Sequence, residues 1–250
     1  MLTCTRGIMA AMNESISKSI TILAGCLLAG LIALGWLAGH AALEVKALER
    51  TVAVKGLSER EVPADIVIWP LTFQEANAEL NGIFEAIQRR NALVTDFLVA
   101  HGIPNQEITI APPAVTDLYA QSYGDKSHIL FRYTGSSTVT VYSHNVDAVR
   151  AAMQDVISLG KKGVALSGEG YQGQTQFVFS GLSSLKPDMI EEATKNARAV
   201  AEKFAADSGS RLGKIRSAQQ GQFSIENRDS TTPHIKKVRV VATVEYYLAD

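Results

Sequence analysis

From Ile20 to Leu43 the chain runs ITILAGCLLAGLIALGWLAGHAAL, with no Asp, Glu, Lys or Arg. A helix rises 1.5 Å per residue, so about 20 residues cross a hydrocarbon core of roughly 30 Å. The pattern predicts a tail over 1–19, a transmembrane signal-anchor over 20–43, a juxtamembrane linker over 44–50 and a folded domain over 51–250. After Arg50 the apolar residues alternate, first over Thr51–Leu57 and, past the polar Glu59-Arg60-Glu61, over Val62–Phe73. Alternation of this kind reads as strand, with a turn at 59–61. In the second strand Ile66, Ile68 and Pro70 share one face and Val67, Trp69 and Leu71 the other. Both faces are apolar, which predicts cover on both sides, or cover on one and pairing in an oligomer on the other. Pro70 lacks a ladder donor and points to an edge or a bulge.

The period then lengthens. Leu80, Ile83, Phe84, Ile87, Val94, Phe97 and Leu98 form one stripe of a helix over 77–100, ended by Gly102 and Pro104. Residues 107–118 read as a strand broken by Pro112-Pro113, 119–127 as a polar loop, and 128–142 as a strand broken at Gly135-Ser136-Ser137. Asn145 is placed to cap a helix running to Leu159. Extended pieces follow at 164–167 and 174–179. Next comes a helix from Pro187 to Ser208, with Ile190, Ala193, Ala197, Val200 and Phe204 inward, stopped by Gly209. Strands over 214–225 and 235–248 flank a turn at 227–234. The fold class is α+β. Two β-α-β-β halves, 62–142 and 164–248, carry antiparallel sheets packed on long helices, with 145–159 linking them.

Charge changes this picture little. The chain has 24 basic and 25 acidic residues, without the excess of cations that a sequence-independent grip on nucleic acid requires. Both cysteines, Cys4 and Cys26, precede the domain. A disulfide, a cysteine metal site and a cysteine nucleophile are thus excluded from 51–250.

The apolar run has three possible fates. It is longer than the core of a cleavable signal, which favours an uncleaved anchor. Cleavage near Ala38, His40 and Ala42 would instead free the domain, and Leu23-Ala24-Gly25-Cys26 resembles a lipidation site. Flanking charges (Arg6, Lys18 and Glu14 before; Glu44, Lys46, Glu49, Arg50 and Lys55 after) do not vote clearly. A short tail ahead of a long domain places the domain outside.

Candidate chemistry is sparse. Gly168-Glu-Gly-Tyr-Gln-Gly173 matches G-x-G-x-x-G, but a strand-like QTQFVF follows where a dinucleotide site needs a helix. His101, His128, His144 and His234 lack metal-site spacing. Ser58 and Ser183 sit in no nucleophile elbow. Glu191-Glu192 suits a helix start and Arg89-Arg90 a solvated face. The basic concentration is Lys214, Arg216, Lys236, Lys237 and Arg239, with Lys236 on the opposite face from Lys237 and Arg239. No catalytic, cofactor-binding or metal-binding residue is nominated.

The segments TVAVKGLSEREVPADIVIWPLTF, FRYTGSSTVTVYS, EEATKNARAVAEKFAADSGSRLGKI and KKVRVVATVEYYL resemble the SIMPL-domain family over about Thr51–Leu248. The likeness lies in the early strand, the Ala193-Ala197-Ala201 helix, the Leu-Gly-Lys-Ile strand entry and the β-rich end. The resemblance implies an exported protein and large ring-like or channel-like homo-oligomers. It also implies a link to envelope or oxidative stress, and no agreed enzymatic activity. The expectation is a periplasmic domain held to the inner membrane by residues 20–43. It would associate with itself, with no nucleic acid, no cofactor and unknown further partners. The alternative is a periplasmic small-molecule or lipid-binding protein using a groove between the halves.

Overall fold

The computed structural model describes residues 25–43, 50–121, 129–167 and 174–249. The tail, residues 20–24 of the apolar run, linker residues 44–49, His128, most of the loop over 119–127 and the Gly168–Gly173 motif lie outside them. Helix α1, Gly25–Leu43, is apolar and none of it is buried. The remaining chain falls into two units, Leu57–Lys195 with Gln220–Ala242, and Met1–Gly56 with Asn196–Gln219 and Thr243–Asp250.

The larger unit holds a five-stranded sheet. Strand β2 (Ile66–Asn77) lies antiparallel to β5 (Tyr133–Ser143) from Val67 opposite Ser143 to Asn77 opposite Tyr133. Strands β3 (Ile108–Ile110) and β4 (Ala114–Asp117) pair with the far side of β5, and β6 (Gln176–Val178) pairs with Ile66–Ile68. The Pro112-Pro113 pair does separate β3 from β4. Pro70 lies two residues past the end of β6, where that flank of β2 no longer needs a donor.

Val67, Trp69, Leu71 and Phe73 of β2 pack with Val139 and Val141 of β5 and with helix α2 (Leu80–Ala100). The buried stripe of α2 is Ile83, Ile87, Val94, Phe97 and Leu98, while Leu80 and Phe84 are exposed. Gly135 is not a break in β5. A Cβ there would stand 2.9 Å from Ile87 Cδ1 and 3.2 Å from Ile83 Cγ1, so the glycine lets α2 lie close on the sheet. After the short helix α3 (Leu118–Gln121), α4 (Val146–Gln154) and α5 (Ile157–Lys161) add Val149, Ala152 and Leu159 to this core. Asn145 caps α4 as its sequence predicts, Oδ1 accepting from the Ala148 N–H at 3.1 Å.

A second sheet has β9 (Ile235–Ala249) between β1 (Thr51–Pro63) and β7 (Arg211–Gln220), with β8 (Ser224–Asn227) also on β9. Strand β1 runs straight through the expected turn at 59–61. Glu59 and Glu61 point outward to Lys237 and Arg228, and Ser58 points inward, so the polar residues obey the strand's own period. The chain turns at Ala64-Asp65 instead. Two β-α-β-β groups are present, but the opening strand of the second is β1, not the segment 174–179. That segment is β6, an edge of the first sheet. The second group is therefore wrapped around the first in sequence.

Helix α6 (Leu182–Asp207) starts five residues before Pro187, which lies inside it. The stripe it buries is Met189, Ala193, Ala197, Ala201 and Ala205. Val200 and Phe204, expected inward, are exposed. The buried positions of α6 are mostly alanine, whereas those of β1 and β9 are larger: Val54, Val238, Val240, Val244 and Tyr246.

Candidate functional site

Polar side chains are mostly committed to holding elements together. Ser58 of β1 is buried and its hydroxyl donates to Glu192 of α6 at 2.9 Å. Arg60 reaches the same carboxylate at 3.3 Å and Asp188 at 3.8 Å. Glu192 thus sits in the third turn of α6 as a strand-to-helix clasp. Its neighbour Glu191 faces another way, to Lys195 at 2.6 Å. Asp65, in the turn between β1 and β2, accepts from the amide and hydroxyl of Ser180 at 2.8 Å each, just before α6 begins. Burial pushes the Asp65 carboxyl up, but these donors outweigh it and hold it below its ordinary range.

The histidines and basic residues are similarly placed. His101 ends α2, with Nδ1 2.8 Å from the Phe97 carbonyl oxygen and Nε2 3.4 Å from Asp155. His144 lies edge-on to Tyr142, and His234 edge-on to Phe177, with burial pushing its pKa down. Arg89 is a surface residue paired with Glu85. Arg90 is not: its Nε meets Glu75 of β2 at 2.7 Å and its Nη1 the Lys162 carbonyl. Among the described residues no three His, Cys, Asp or Glu side chains converge as a metal set.

Lys237 and Arg239 share the outer face of β9, and Lys236 is turned inward, as their spacing requires. Lys236 is only 8% exposed, donates to Asn227 Oδ1, and burial lowers its pKa. In the smaller unit Glu245 of β9 gathers Thr51 at 2.9 Å, Arg216 at 2.9 Å and Ser217 at 3.1 Å. The Thr51 hydroxyl is the main cause that keeps this carboxylate below its ordinary range. Of the basic cluster, then, Arg216, Lys236 and Lys237 are occupied within the chain.

Two of the exposed surfaces are apolar. Helix α1 exposes Leu27, Leu28, Leu31, Ile32, Leu34, Trp36, Leu37 and Leu43. The face of β2 turned away from the core carries Ile68, Pro70 and Thr72, set opposite Tyr142, Thr140 and Thr138 of β5, with no charge among them. The alanine stripe of α6 is not open, since its own chain covers it. Sequence periodicity identified the strand face but misread the helix, because a stripe of alanines scores lower than Val200 and Phe204.

Two sheets, two long helices and a separate apolar helix define an α+β protein. The chain belongs to the SIMPL family: the family model, described as a protein of unknown function (DUF541), matches residues 52–246. No curated protein matches it.

Proposed function

We propose that this chain is a single-pass inner-membrane protein. Its SIMPL domain would stand in the periplasm and work as a self-associating structural or interaction module, in a setting of envelope or oxidative stress. The observation that carries the reading is α1, a helix apolar on every side and covered by nothing. Such a helix is stable when lipid is its solvent. A long domain behind a short tail is translocated largely regardless of flanking charge.

Self-association is supported by the outward face of β2 and β5. It is half-exposed and free of charge, so a second copy can meet it without burying an unpaired ion. Mass measurement of residues 44–250 at micromolar concentration tests this. A multimer that Ile68→Glu dissociates is the expected result, and a monomer removes the self-association. Sequencing the mature N-terminus tests the anchor: a chain beginning within 39–44 would make the domain a free periplasmic protein.

A further inference from the structure

Strand β7 closes one side of the second sheet, whose order is β1-β9-β7. Its inner edge is tied to β9. Arg216 and Ser217 meet Glu245 at 2.9 and 3.1 Å, and a Cβ on Gly213 would stand 2.8 Å from the Tyr247 carbonyl oxygen. Its outer edge has no strand beside it among the described residues. Buried and more open positions alternate along β9 and through the middle of β1, as they do where one face of a sheet is covered. Along β7 they do not. Every residue from Lys214 to Gln220 is exposed, Ile215 by 51%. This part of the strand has no buried face, and it turns a row of amide and carbonyl groups outward.

Open edges are ordinarily guarded by charge or proline. On the opposite side of the sheet, β1 carries Lys55, Glu59, Arg60 and Glu61. In β7 the charges stop at Arg216, and Ser217-Ala218-Gln219-Gln220 has neither charge nor proline. We propose that β7 pairs antiparallel with the β7 of a second copy about a two-fold axis, so that two sheets become one. This rests on the self-association proposed above and adds a second surface to it. A second copy fits the edge because the cations of β7 lie toward one end of the strand. Like charges directly opposite each other repel. An axis through Lys214, Ile215 or Arg216 sets cation against cation. An axis through Ser217, Ala218 or Gln219 sets Arg216 against Ala218, Gln220 or Gln222, and Lys214 against Gln220, Gln222 or Ser224. The charge pattern therefore selects the unguarded half of the strand as the centre of the contact. Such a contact is self-complementary, since each copy offers the other the same row of donors and acceptors. The pair held by β7 is then the unit into which Ile68→Glu divides the larger assembly.

The test uses the full chain in detergent micelles, with Cys4 and Cys26 changed to Ser and one cysteine returned at a time. The β7 positions are Ser217→Cys, Ala218→Cys and Gln219→Cys. The controls are Lys55→Cys on β1 and Ile157→Cys, both exposed. The residue on a two-fold axis lies opposite its own copy, within reach of a disulfide. Under mild oxidation one of the three β7 positions is expected to link two chains about tenfold more than either control, because pairing raises the effective concentration of the thiols. Ile68→Glu added to that chain is expected to leave the link in place. Equal linking at β7 and at both controls reports collision and overturns the proposal. A link lost with Ile68→Glu also overturns it, since the edge then has no hold of its own. No link at β7 in a chain whose mass is that of a multimer overturns the edge contact and leaves the contact through β2 and β5 standing. A monomer by mass removes both.

Discussion

Single residues in this protein are chosen for clearance and for hydrogen bonding more than for charge. Gly135→Ala would place a methyl 2.9 Å from Ile87 Cδ1. It should cost about 1–3 kcal/mol in urea unfolding, the usual penalty for overpacking. Asp65→Ala removes the acceptor of the Ser180 amide and hydroxyl, which are exposed and can turn to water, and should cost about 0.5–1.5 kcal/mol at pH 7. Because the folded-state pKa of Asp65 is lowered, its contribution is present above the ordinary carboxylate range and is lost as pH falls through the folded value. The gap between wild type and variant should therefore close in acid. Lys236 has the opposite sign. Burial lowers its folded-state pKa, so the unfolded chain binds the proton more readily, and wild-type stability should rise with pH towards about 10. Lys236→Met should remove that slope and raise stability at pH 7 by about 1 kcal/mol, since Asn227 is exposed and can turn to water. Denaturation midpoints between pH 7 and 10 check both statements.

At the scale of elements, α6 shows what a sequence can and cannot reveal. Its existence, its stop at Gly209, where φ is +65°, and the Ala193-Ala197-Ala201 spacing are all readable from the chain. Which stripe faces inward is not, because hydrophobicity ranks Val200 and Phe204 above the alanines that are buried. Substitutions should separate the two stripes. Ala197→Leu should destabilise by about 1–3 kcal/mol or more, whereas Phe204→Ala should stay within about 0.5 kcal/mol in detergent-free unfolding. The start of α6 differs from the sequence pattern for a related reason: Pro187 suits a first helical turn, yet α6 begins five residues earlier, two residues after the Ser180 that Asp65 holds. The continuity of β1 through Glu59-Arg60-Glu61 was hidden because three charges in a row look like a turn until their outward partners Lys237 and Arg228 are known. Strand order was legible least of all. Alternation tells which face of a strand is buried and says nothing about which distant strand lies beside it, so β6 was assigned to the wrong sheet.

For the whole molecule, the family and the α+β class were carried by local patterns, while the connectivity came from contacts between the two ends of the domain. Removing residues 244–249 should strip β1 of its neighbour near Arg50 and Thr51, and the shortened chain should be sensitive to protease where the intact chain resists. The same closure sets an order of events during synthesis. Thr51 and Glu245 bond across 194 positions, so the strand made first has to wait for the strand made last. In that interval β1 presents an open hydrogen-bonding edge, which accepts any extended segment that arrives. Its alternating Lys55, Glu59 and Glu61 discourage strangers. They do not discourage the β9 of another copy, which carries the same Lys237 that Glu59 recognises. A chain whose synthesis stops before Lys237 is therefore left with that edge of β1 unpaired, and it should aggregate more readily than the finished chain.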